Sequence, residues 1–315
     1  MSRLQLMLST LAVIATLVGC GGDATPAPAP PQIVDKIAAT TAAGGAAITP
    51  GLTTLDDLAS YQAVRRDPIC TPYRGYTVCG VPPPSSGGIA VAQTLGILGS
   101  FDLAAAAPPA PDREGGVPGV DGIHLTSTIE SPFGSFHMTA GVVLNNELTD
   151  FSAEPADPTG APIANRVAGG KRPRSSMAPT LVFRTAADGS RGDFVMATGS
   201  PGGAAIIQYV VKTLVGVLDW QLDAQQSAGL LDFGAANDPT TNLGGESPNV
   251  DPTDDGAHDP RVQALRARGH QVSVAVQSSG VATVVRSGAG LAGGADPRRE
   301  GIVLGDWFAP APARR

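Results

Sequence analysis

The sequence predicts a mixed α/β (α+β) fold, and three observations support that prediction. Strand patterns recur along the chain, at residues 123–129, 141–145, 180–184, 194–198, 271–276 and 281–286. A largely apolar helical pattern at 204–218 is typical of a helix that is buried on most sides. The order of strands, helices and strands is typical of layered architectures, and 42% hydrophobic residues among 315 can fill a sizeable core.

Other elements are marked by their end signals. Asp56–Tyr61 begins as a helix, with Thr53 or Thr54 as its cap. Ile89–Leu98 has helical spacing of apolar residues. A later helix starts at Asp259-Pro260, a capping carboxylate before a first-turn proline, and ends at Gly269. The strands at 271–276 and 281–286 are predicted to form a closing pair, and residues 233–258 a long surface loop rich in Gly, Asn, Asp and Pro.

The N-terminus is predicted to be an export signal. Arg3 precedes a short apolar run that ends in Leu17-Val-Gly-Cys20, a pattern similar to the bacterial lipoprotein signal, in which the cysteine is lipidated. The alternative is ordinary secretion with cleavage nearby. We therefore expect residues 1–20 to be a signal peptide, residues 21–31 a Pro/Ala tether, and the mature chain to be anchored in the bacterial periplasm through Cys20.

Export gives the other two cysteines a predicted pairing. Cys70 and Cys79 bound a hairpin pattern that turns at Arg74-Gly75. Counting outward from that turn places the two cysteines opposite each other at a non-hydrogen-bonded position, where Cα atoms lie about 4.5 Å apart. That spacing permits a disulfide, whereas a one-residue slip in register would leave two free thiols.

Two glycine- and serine-bearing segments suggest an acyl-transfer site. Residues 170–179 (GKRPRSSMAP) and residues 199–203 (GSPGG) flank a strand pattern and precede a helix. A strand, a glycine turn and a helix start direct backbone N–H groups into one space, where they can stabilise negative charge on an oxygen.

Composition excludes several other functions. The net charge is −7, without a clustered basic surface, which argues against nucleic-acid binding. The four histidines have no metal-binding spacing, and neither a phosphate loop nor a Gly-x-Ser-x-Gly elbow is present. No cofactor and no metal are therefore expected. An Ala/Pro-rich, non-periodic stretch at residues 104–122 is typical of a linker.

Eight short motifs follow one another over most of the chain from Gln32 to Asp306. They are Asp57–Tyr61, Tyr73–Tyr76, Pro82–Gly88, Leu125–Ser131, Leu144–Ser152, Lys171–Met177, Gly199–Gly203 and Asp296–Arg298. In this order they resemble the gamma-glutamyltransferase (glutathione hydrolase) family. The resemblance implies an αββα four-layer sandwich of the N-terminal-nucleophile hydrolase type, here partial. It also implies transfer of a γ-glutamyl group from glutathione to water or an amino acid by a threonine released through self-cleavage.

The resemblance assigns substrate-binding roles to four polar residues. Asp150, helped by Glu147, matches the carboxylate that holds the substrate α-amino group, and an ammonium does need such an acceptor. Ser175 and Ser176 match the hydroxyl pair that binds the substrate α-carboxylate. The simpler alternatives are a turn cap for Asp150 and loop hydroxyls bonded to their own backbone for the two serines.

The resemblance also assigns residues around the reacting carbonyl. Gly202 and Gly203 match the backbone pair of the oxyanion hole, with a helix-start turn as the alternative. Thr128 matches a threonine that supports the nucleophile, and Glu130 stands where some members have asparagine.

The nucleophile itself has no match in the sequence. The family has a Thr-Thr-His segment where this chain has Asp121-Gly-Ile-His-Leu-Thr126. Aligning His124 with that histidine puts Gly122 at the nucleophile; otherwise the segment is deleted. We therefore expect residues 32–107 to be a remnant of the large-subunit region, 108–122 a linker at a deletion, and 123–315 a small-subunit-like region.

Four hypotheses follow for function. The chain is a member of this family that is expected to be inactive as it stands. It is a lipid-anchored pseudoenzyme that binds glutamyl ligands. It is a non-functional remnant. Its substrate is instead an amide of the kind cleaved by cephalosporin acylases, which resemble this family. A complementing partner chain is conceivable, because intact members work as two cleaved subunits.

Overall fold

A computed structural model of the protein describes residues 54–106, 147–235, 239–244, 250–277, 279–288 and 290–305, with short pieces at 35, 117–118, 138–139 and 142–143. The chain divides into two compact units. The first comprises residues 1–66 and 127–175, and the second comprises residues 67–126 and 176–315.

The second unit is built on a seven-stranded sheet. Its strand order is β1-β2-β6-β7-β11-β12-β3, and every neighbouring pair is antiparallel. The strands are β1 (Ile69–Tyr73), β2 (Tyr76–Gly80), β3 (Val117–Pro118), β6 (Thr180–Thr185), β7 (Arg191–Gly199), β11 (Ala282–Ser287) and β12 (Gly290–Ala295).

Three helices accompany this sheet, α2 (Gly87–Leu98), α3 (Ile206–Leu218) and α4 (Ala224–Ala228). A core of buried aliphatic residues joins α2 and α3 to one face of the sheet, including Leu95 of α2, Leu214 of α3 and Val182 of β6. The predicted helix at 204–218 is present, although its first turn, Gly203–Ala205, is a 3₁₀ helix. The tighter first turn follows from Gly203, whose positive φ lies outside helical geometry.

The cysteine hairpin has the predicted register. Tyr73 lies opposite Tyr76, and Cys70 lies opposite Cys79. Both turn residues, Arg74 and Gly75, have positive φ, as a two-residue turn between right-twisted strands requires. The two cysteines form a disulfide, with their Cα atoms 4.1 Å apart.

The predicted closing strand pair is wrong. The first of its strands, β10 (Gln271–Ala275), pairs in parallel with β9 (Thr240–Gly244) in a separate three-stranded sheet. The second strand, β11, lies between β7 and β12 of the large sheet. The short separation in sequence favoured a hairpin, but β10 and β11 belong to different sheets.

The predicted surface loop at 233–258 is also wrong. It contains β8 (Phe233–Gly234) and β9, which pair with each other. Leu243 and Val250 are buried in a second core with Val262 of helix α5 (Pro260–Ala267). The sequence did not indicate this strand because β9 has only one large apolar side chain, Leu243, and therefore no alternating pattern.

The predicted linker contains a short strand. β3 pairs with Gly290 and Leu291 of β12 at the edge of the large sheet. Residues 104–106 of the same stretch form a 3₁₀ turn. Backbone hydrogen bonding at a sheet edge needs no hydrophobic periodicity, so the sequence pattern did not reveal it.

The first unit is described by itself. Its helix α1 (Leu55–Ser60) begins at Thr54, which forms a reciprocal capping box with Asp57, so the predicted cap is confirmed. It also contains the paired strands β4 (Met138–Thr139) and β5 (Val142–Val143) and a 3₁₀ turn at Glu147–Asp150. Among the helices of the described residues, none has the length and hydropathy needed to cross a bilayer.

Candidate functional site

The glycine turn between β7 and α3 has the predicted arrangement of strand, turn and helix. Gly202 has φ 133° and Gly203 has φ 55°, values that side-chain-bearing residues rarely adopt. Both glycines are half-buried, and the next residue, Ala204, is exposed. The turn therefore requires glycine for its backbone shape and remains accessible from solvent.

Hydrogen bonds fix the direction of the N–H groups in this turn. Gly202 O accepts a hydrogen bond from Ala205 N at 3.1 Å, and Gly203 O accepts one from Ser176 Oγ at 2.6 Å. The C=O and N–H of a planar trans peptide point in opposite directions. The N–H groups of Gly203 and Ala204 therefore point away from these two contacts, and the first N–H groups of a helix lack intrahelical acceptors.

Ser176 is thus brought beside the predicted oxyanion glycines. It is half-buried, and its hydroxyl donates to Gly203 O. A serine hydroxyl has one proton to donate but can accept further hydrogen bonds. Ser176 is therefore part of the architecture of the turn as well as a candidate ligand-binding residue.

The first unit holds the other polar candidates. Asp150 lies in the 3₁₀ turn, is half-buried, and accepts a hydrogen bond on its backbone oxygen from Asn165 Nδ2 at 2.6 Å. The Oδ1 atom of the same Asn165 accepts from Arg174 N at 3.0 Å. Asn165 therefore links the Asp150 turn to the segment that ends at Ser175.

Sequence reasoning missed this role of Asn165. A single asparagine in a polar loop has no periodic signal, and its two contacts lie 15 and 9 residues away along the chain. Glu147, at the start of the same 3₁₀ turn, is also half-buried. The assigned Thr128, Glu130 and Cys20 lie outside the described residues.

A cluster of buried charges lies behind the glycine turn. Lys212 of α3 contacts Asp232 at 2.5 Å, and Arg298 contacts the other oxygen of Asp232 at 3.3 Å. Arg298 also contacts Asp296 at 2.9 Å. These four side chains are at most 4% exposed, so each charge depends on its partners.

Burial and pairing act in opposite directions on these groups. Burial lowers the pKa of Lys212, and the nearby Asp232 carboxylate only partly offsets this. Burial alone would raise the pKa of Asp296, but hydrogen bonds from Arg298, Val281 and Ser279 outweigh it and hold that pKa below its ordinary value. The motif at 296–298 is visible in the sequence, whereas Lys212 has no signal of its own within the apolar helix pattern at 204–218.

Two cavities lie on the second unit. One, of about 420 Å³, is lined by small residues of β11 and β12 together with residues 301–304. The other, of about 560 Å³, is polar and includes Gln277 and Glu300. Arg299 lines both cavities, and none of the predicted site residues lines either of them. Within the described residues, no three His, Cys, Asp or Glu side chains are grouped to hold a metal.

Comparison with known proteins identifies relatives over much of the chain. The family model described as gamma-glutamyltranspeptidase matches residues 32–115 and 120–306. The glutathione hydrolase proenzyme of Escherichia coli (strain K12) is 30% identical over 255 residues, which cover 56% of this chain and 43% of that protein. An acylase ACY 1 proenzyme of Pseudomonas sp. (strain V22) is 25% identical over 292 residues, covering 70% of this chain and 48% of that protein.

These relatives are longer, and the chain spans about half the length of the curated relatives it matches. Among solved structures, the cephalosporin acylase of Bacillus halodurans resembles this chain with a TM-score of 0.59 and 21% identity, over 88% of this chain and 58% of that one. That likeness concerns the fold. Together with the antiparallel sheet and its helices, it confirms the predicted α+β class.

Proposed function

Because the chain belongs to the gamma-glutamyltranspeptidase family, we propose that it binds γ-glutamyl compounds of the glutathione type. The observation that carries this proposal is the accessible turn at Gly202 and Gly203, where hydrogen bonds from Ala205 and Ser176 to the two backbone oxygens direct the N–H groups of Gly203 and Ala204 away from those contacts. Paired backbone N–H groups of this kind bind a carbonyl oxygen that carries partial or full negative charge.

In this proposal the remaining candidates bind the amino-acid part of the ligand. The resemblance assigns Asp150 and Glu147 to the α-ammonium group, as acceptors of its hydrogen bonds, and Ser175 and Ser176 to the α-carboxylate. To donate to that carboxylate, Ser176 has to turn its hydroxyl proton away from Gly203 O. The hydrogen bonds of Asn165 hold the Asp150 turn against the segment before Ser175. Such support matters because a ligand-binding constellation depends on the fixed placement of its side chains.

The proposal concerns binding without covalent catalysis. The sequence at 121–126 offers no threonine at the aligned nucleophile position, so no acyl-threonine intermediate is proposed for this chain. Thr128 and Glu130 are assigned a supporting role by resemblance alone.

Calorimetry with glutamate and glutarate tests the binding proposal. The two ligands share a five-carbon chain, but only glutamate carries an ammonium group. Asp150→Asn should weaken glutamate binding by about tenfold to a hundredfold, since a charge-assisted hydrogen bond is lost, and should leave glutarate binding unchanged. Glu154→Gln is the matched control, because Glu154 is an exposed carboxylate in the same unit.

An enzymatic assay then separates binding from turnover. Folded protein that binds glutamate should release no p-nitroaniline from γ-glutamyl-p-nitroanilide. Release that is abolished by Asp150→Asn would show that another residue acts as the nucleophile. A folded protein that binds neither glutamate nor glutathione would contradict the proposal and favour the non-functional remnant.

A second candidate function is amide hydrolysis of the acylase type. The match to an acylase proenzyme over 70% of this chain favours it. Acyl groups without an α-amino group do not need the carboxylate of Asp150. Glutarate binding tighter than glutamate binding, insensitive to Asp150→Asn, would support this alternative.

Attachment to a membrane is a further part of the proposal. The lipoprotein-type pattern that ends at Cys20 supports a lipid anchor and a periplasmic location. The location would suit a protein with a disulfide, since disulfides persist in oxidising compartments.

A further inference from the structure

The serine of the glycine turn makes two hydrogen bonds within the protein. Ser200 Oγ donates to Pro201 O at 2.7 Å. Because the Pro201–Gly202 peptide is planar and trans, this contact directs the Gly202 N–H to the opposite side. Ser200 thus fixes the direction of the Gly202 N–H, as Ser176 fixes the direction of the Ala204 N–H.

The second hydrogen bond ties the turn to a neighbouring loop. Ser200 Oγ accepts from Gly280 N at 3.0 Å, and Ser200 is only 8% exposed. A Cβ atom at Gly280 would lie 2.7 Å from the ring of Pro201, so the loop approaches the turn as closely as glycine allows. With its proton donated inside the protein, Ser200 is placed to position the turn rather than to bind ligand.

The residues on both sides of Gly280 are themselves held by one buried carboxylate. Asp296 Oδ2 accepts from Ser279 Oγ at 2.8 Å and from Val281 N at 3.0 Å. Its other oxygen accepts from Arg298 Nη1 at 2.9 Å. The loop that supports Ser200 is therefore fixed to the buried charge cluster.

The charge cluster also contacts helix α3, which starts at the turn. Lys212 of α3 and Arg298 both contact Asp232, and both donate to Leu230 O, at 2.8 Å and 2.7 Å. The contacts therefore form a closed ring from the turn, along α3, through the charges and the Gly280 loop, to Ser200. A ring of this kind restrains the turn at both of its ends.

We propose that Ser200 is a positioning residue that aims the Gly202 N–H at the anionic oxygen of a bound ligand. The inference rests on the proposed function for the identity of that ligand. Donors that are fixed before the ligand binds need no reorganisation when it arrives, which is why they stabilise an anion better than mobile donors. Without the hydroxyl, the Pro201–Gly202 peptide loses its restraint and the Gly202 N–H its fixed direction.

Two ligands separate positioning of the turn from binding of the amino-acid part. The first, 2-amino-4-phosphonobutanoate, joins the α-amino acid part of glutamate to a tetrahedral phosphonate. The second, 2-aminobutanoate, lacks the anion at that end. In the full chain, Ser200→Ala should weaken phosphonate binding by about tenfold, as expected for one misdirected hydrogen bond to an anion, and should leave 2-aminobutanoate binding unchanged. Ser200→Thr, which retains the hydroxyl, should restore phosphonate binding.

The matched control is Ser100→Ala. Ser100 is exposed after α2, and its hydroxyl also donates to a backbone carbonyl, that of Ile97 at 2.8 Å. It should change the binding of neither ligand. Equal loss of both ligands in Ser200→Ala would indicate general destabilisation and overturn the positioning role, as would unchanged phosphonate binding.

A ligand-free measurement keeps this inference separate from the proposed function. In ¹⁵N NMR of the unliganded protein, Ser200→Ala should shift the amide signals of Gly202 and Gly280 and increase fast motion at Gly202, while Ser100→Ala should not. If wild-type protein binds neither ligand, the proposed function fails. Unchanged Gly202 and Gly280 signals in Ser200→Ala would overturn the positioning role whether or not ligand binds.

Discussion

Two turns of the second unit each join a strand to a helix, but they have opposite surroundings. One joins β2 to α2 through residues 81–86, and the other joins β7 to α3 through residues 200–205. Because β2 and β7 are each antiparallel to β6, the two strands run in the same direction. Both helices therefore start from the same end of the sheet.

The turn before α2 is closed. Ser85 Oγ donates to Met177 O at 2.6 Å and accepts from Gly87 N at 3.1 Å. A Cβ atom at Gly87 would lie 2.2 Å from Met177 O, and Gly87 is buried. The N–H group that a ligand would need is already used by the protein.

The turn before α3 is open because the protein holds its carbonyl groups instead. Ser200 and Ser176 donate to the oxygens of Pro201 and Gly203, which directs the N–H groups of Gly202 and Ala204 away from the two serines. The comparison teaches that a strand, a turn and a helix form a candidate site only where the surrounding hydroxyls bind the carbonyl groups of the turn. The same hydroxyl chemistry closes the turn where it binds an N–H group.

The largest expected effect comes from removing the charge that supports the open turn. Lys212→Met leaves Asp232 buried with one cation fewer, so the free energy of unfolding should fall by about 3–5 kcal/mol. Urea unfolding measures this loss. Arg268→Met, at an exposed position after α5, is the control and should change stability by less than about 0.5 kcal/mol. A Lys212→Met protein as stable as wild type would mean that the cluster does not support α3.

The closed turn should respond to a single methyl group. Gly87→Ala places a Cβ against the backbone oxygen of Met177, and such overpacking typically costs about 1–3 kcal/mol. Gly96→Ala is the matched control in the same helix, since no atom lies within 4 Å of its Cβ, and it should be neutral or stabilising by up to about 1 kcal/mol. Thermal or urea unfolding compares the two variants; equal stabilities would show that the turn before α2 is not closed by packing.

The sequence did not distinguish these two turns, and it showed the first of them only as the family motif Pro82–Gly88. Sequence patterns predicted the structure correctly where residues close in sequence determine it, as in the cysteine hairpin, the Thr54 cap and the helix before Gly269. They gave wrong predictions where a strand pairs with residues distant in sequence. The strand at 271–275 was assigned to a hairpin with its neighbour, but it pairs with residues 240–244, because the burial of Leu243 and Val272 decides that pairing.

The candidate site shows the same limit. Resemblance to a family located Gly202, Gly203 and Ser176, and the structure brings these three together. The residues that hold them, Asn165 and Ser200, had no sequence signal because each works through a hydrogen bond to a backbone group selected by the tertiary fold. Supporting residues of this kind can be identified only from contacts.

The smallest effect concerns the acid end of the stability curve. The pKa of Asp296 lies below its ordinary value in the folded protein, whereas an unfolded aspartate titrates near pH 3.9. A group with a lowered folded pKa contributes stability above the unfolded pKa, and this contribution is lost as pH falls through the folded value. Asp296→Asn should therefore make the loss of stability below about pH 4 shallower, in urea midpoints measured from pH 5 downward.

The control for this effect is Asp188→Asn. Burial does little at Asp188, whose pKa is lowered mainly by hydrogen bonds from Ser190, and exposed pairs contribute little to stability. Asp188→Asn should follow the wild-type acid slope closely. If stability falls with pH as steeply in Asp296→Asn as in wild type, the negative charge of Asp296 does not contribute to stability. The Gly280 loop behind the open turn would then not depend on that charge.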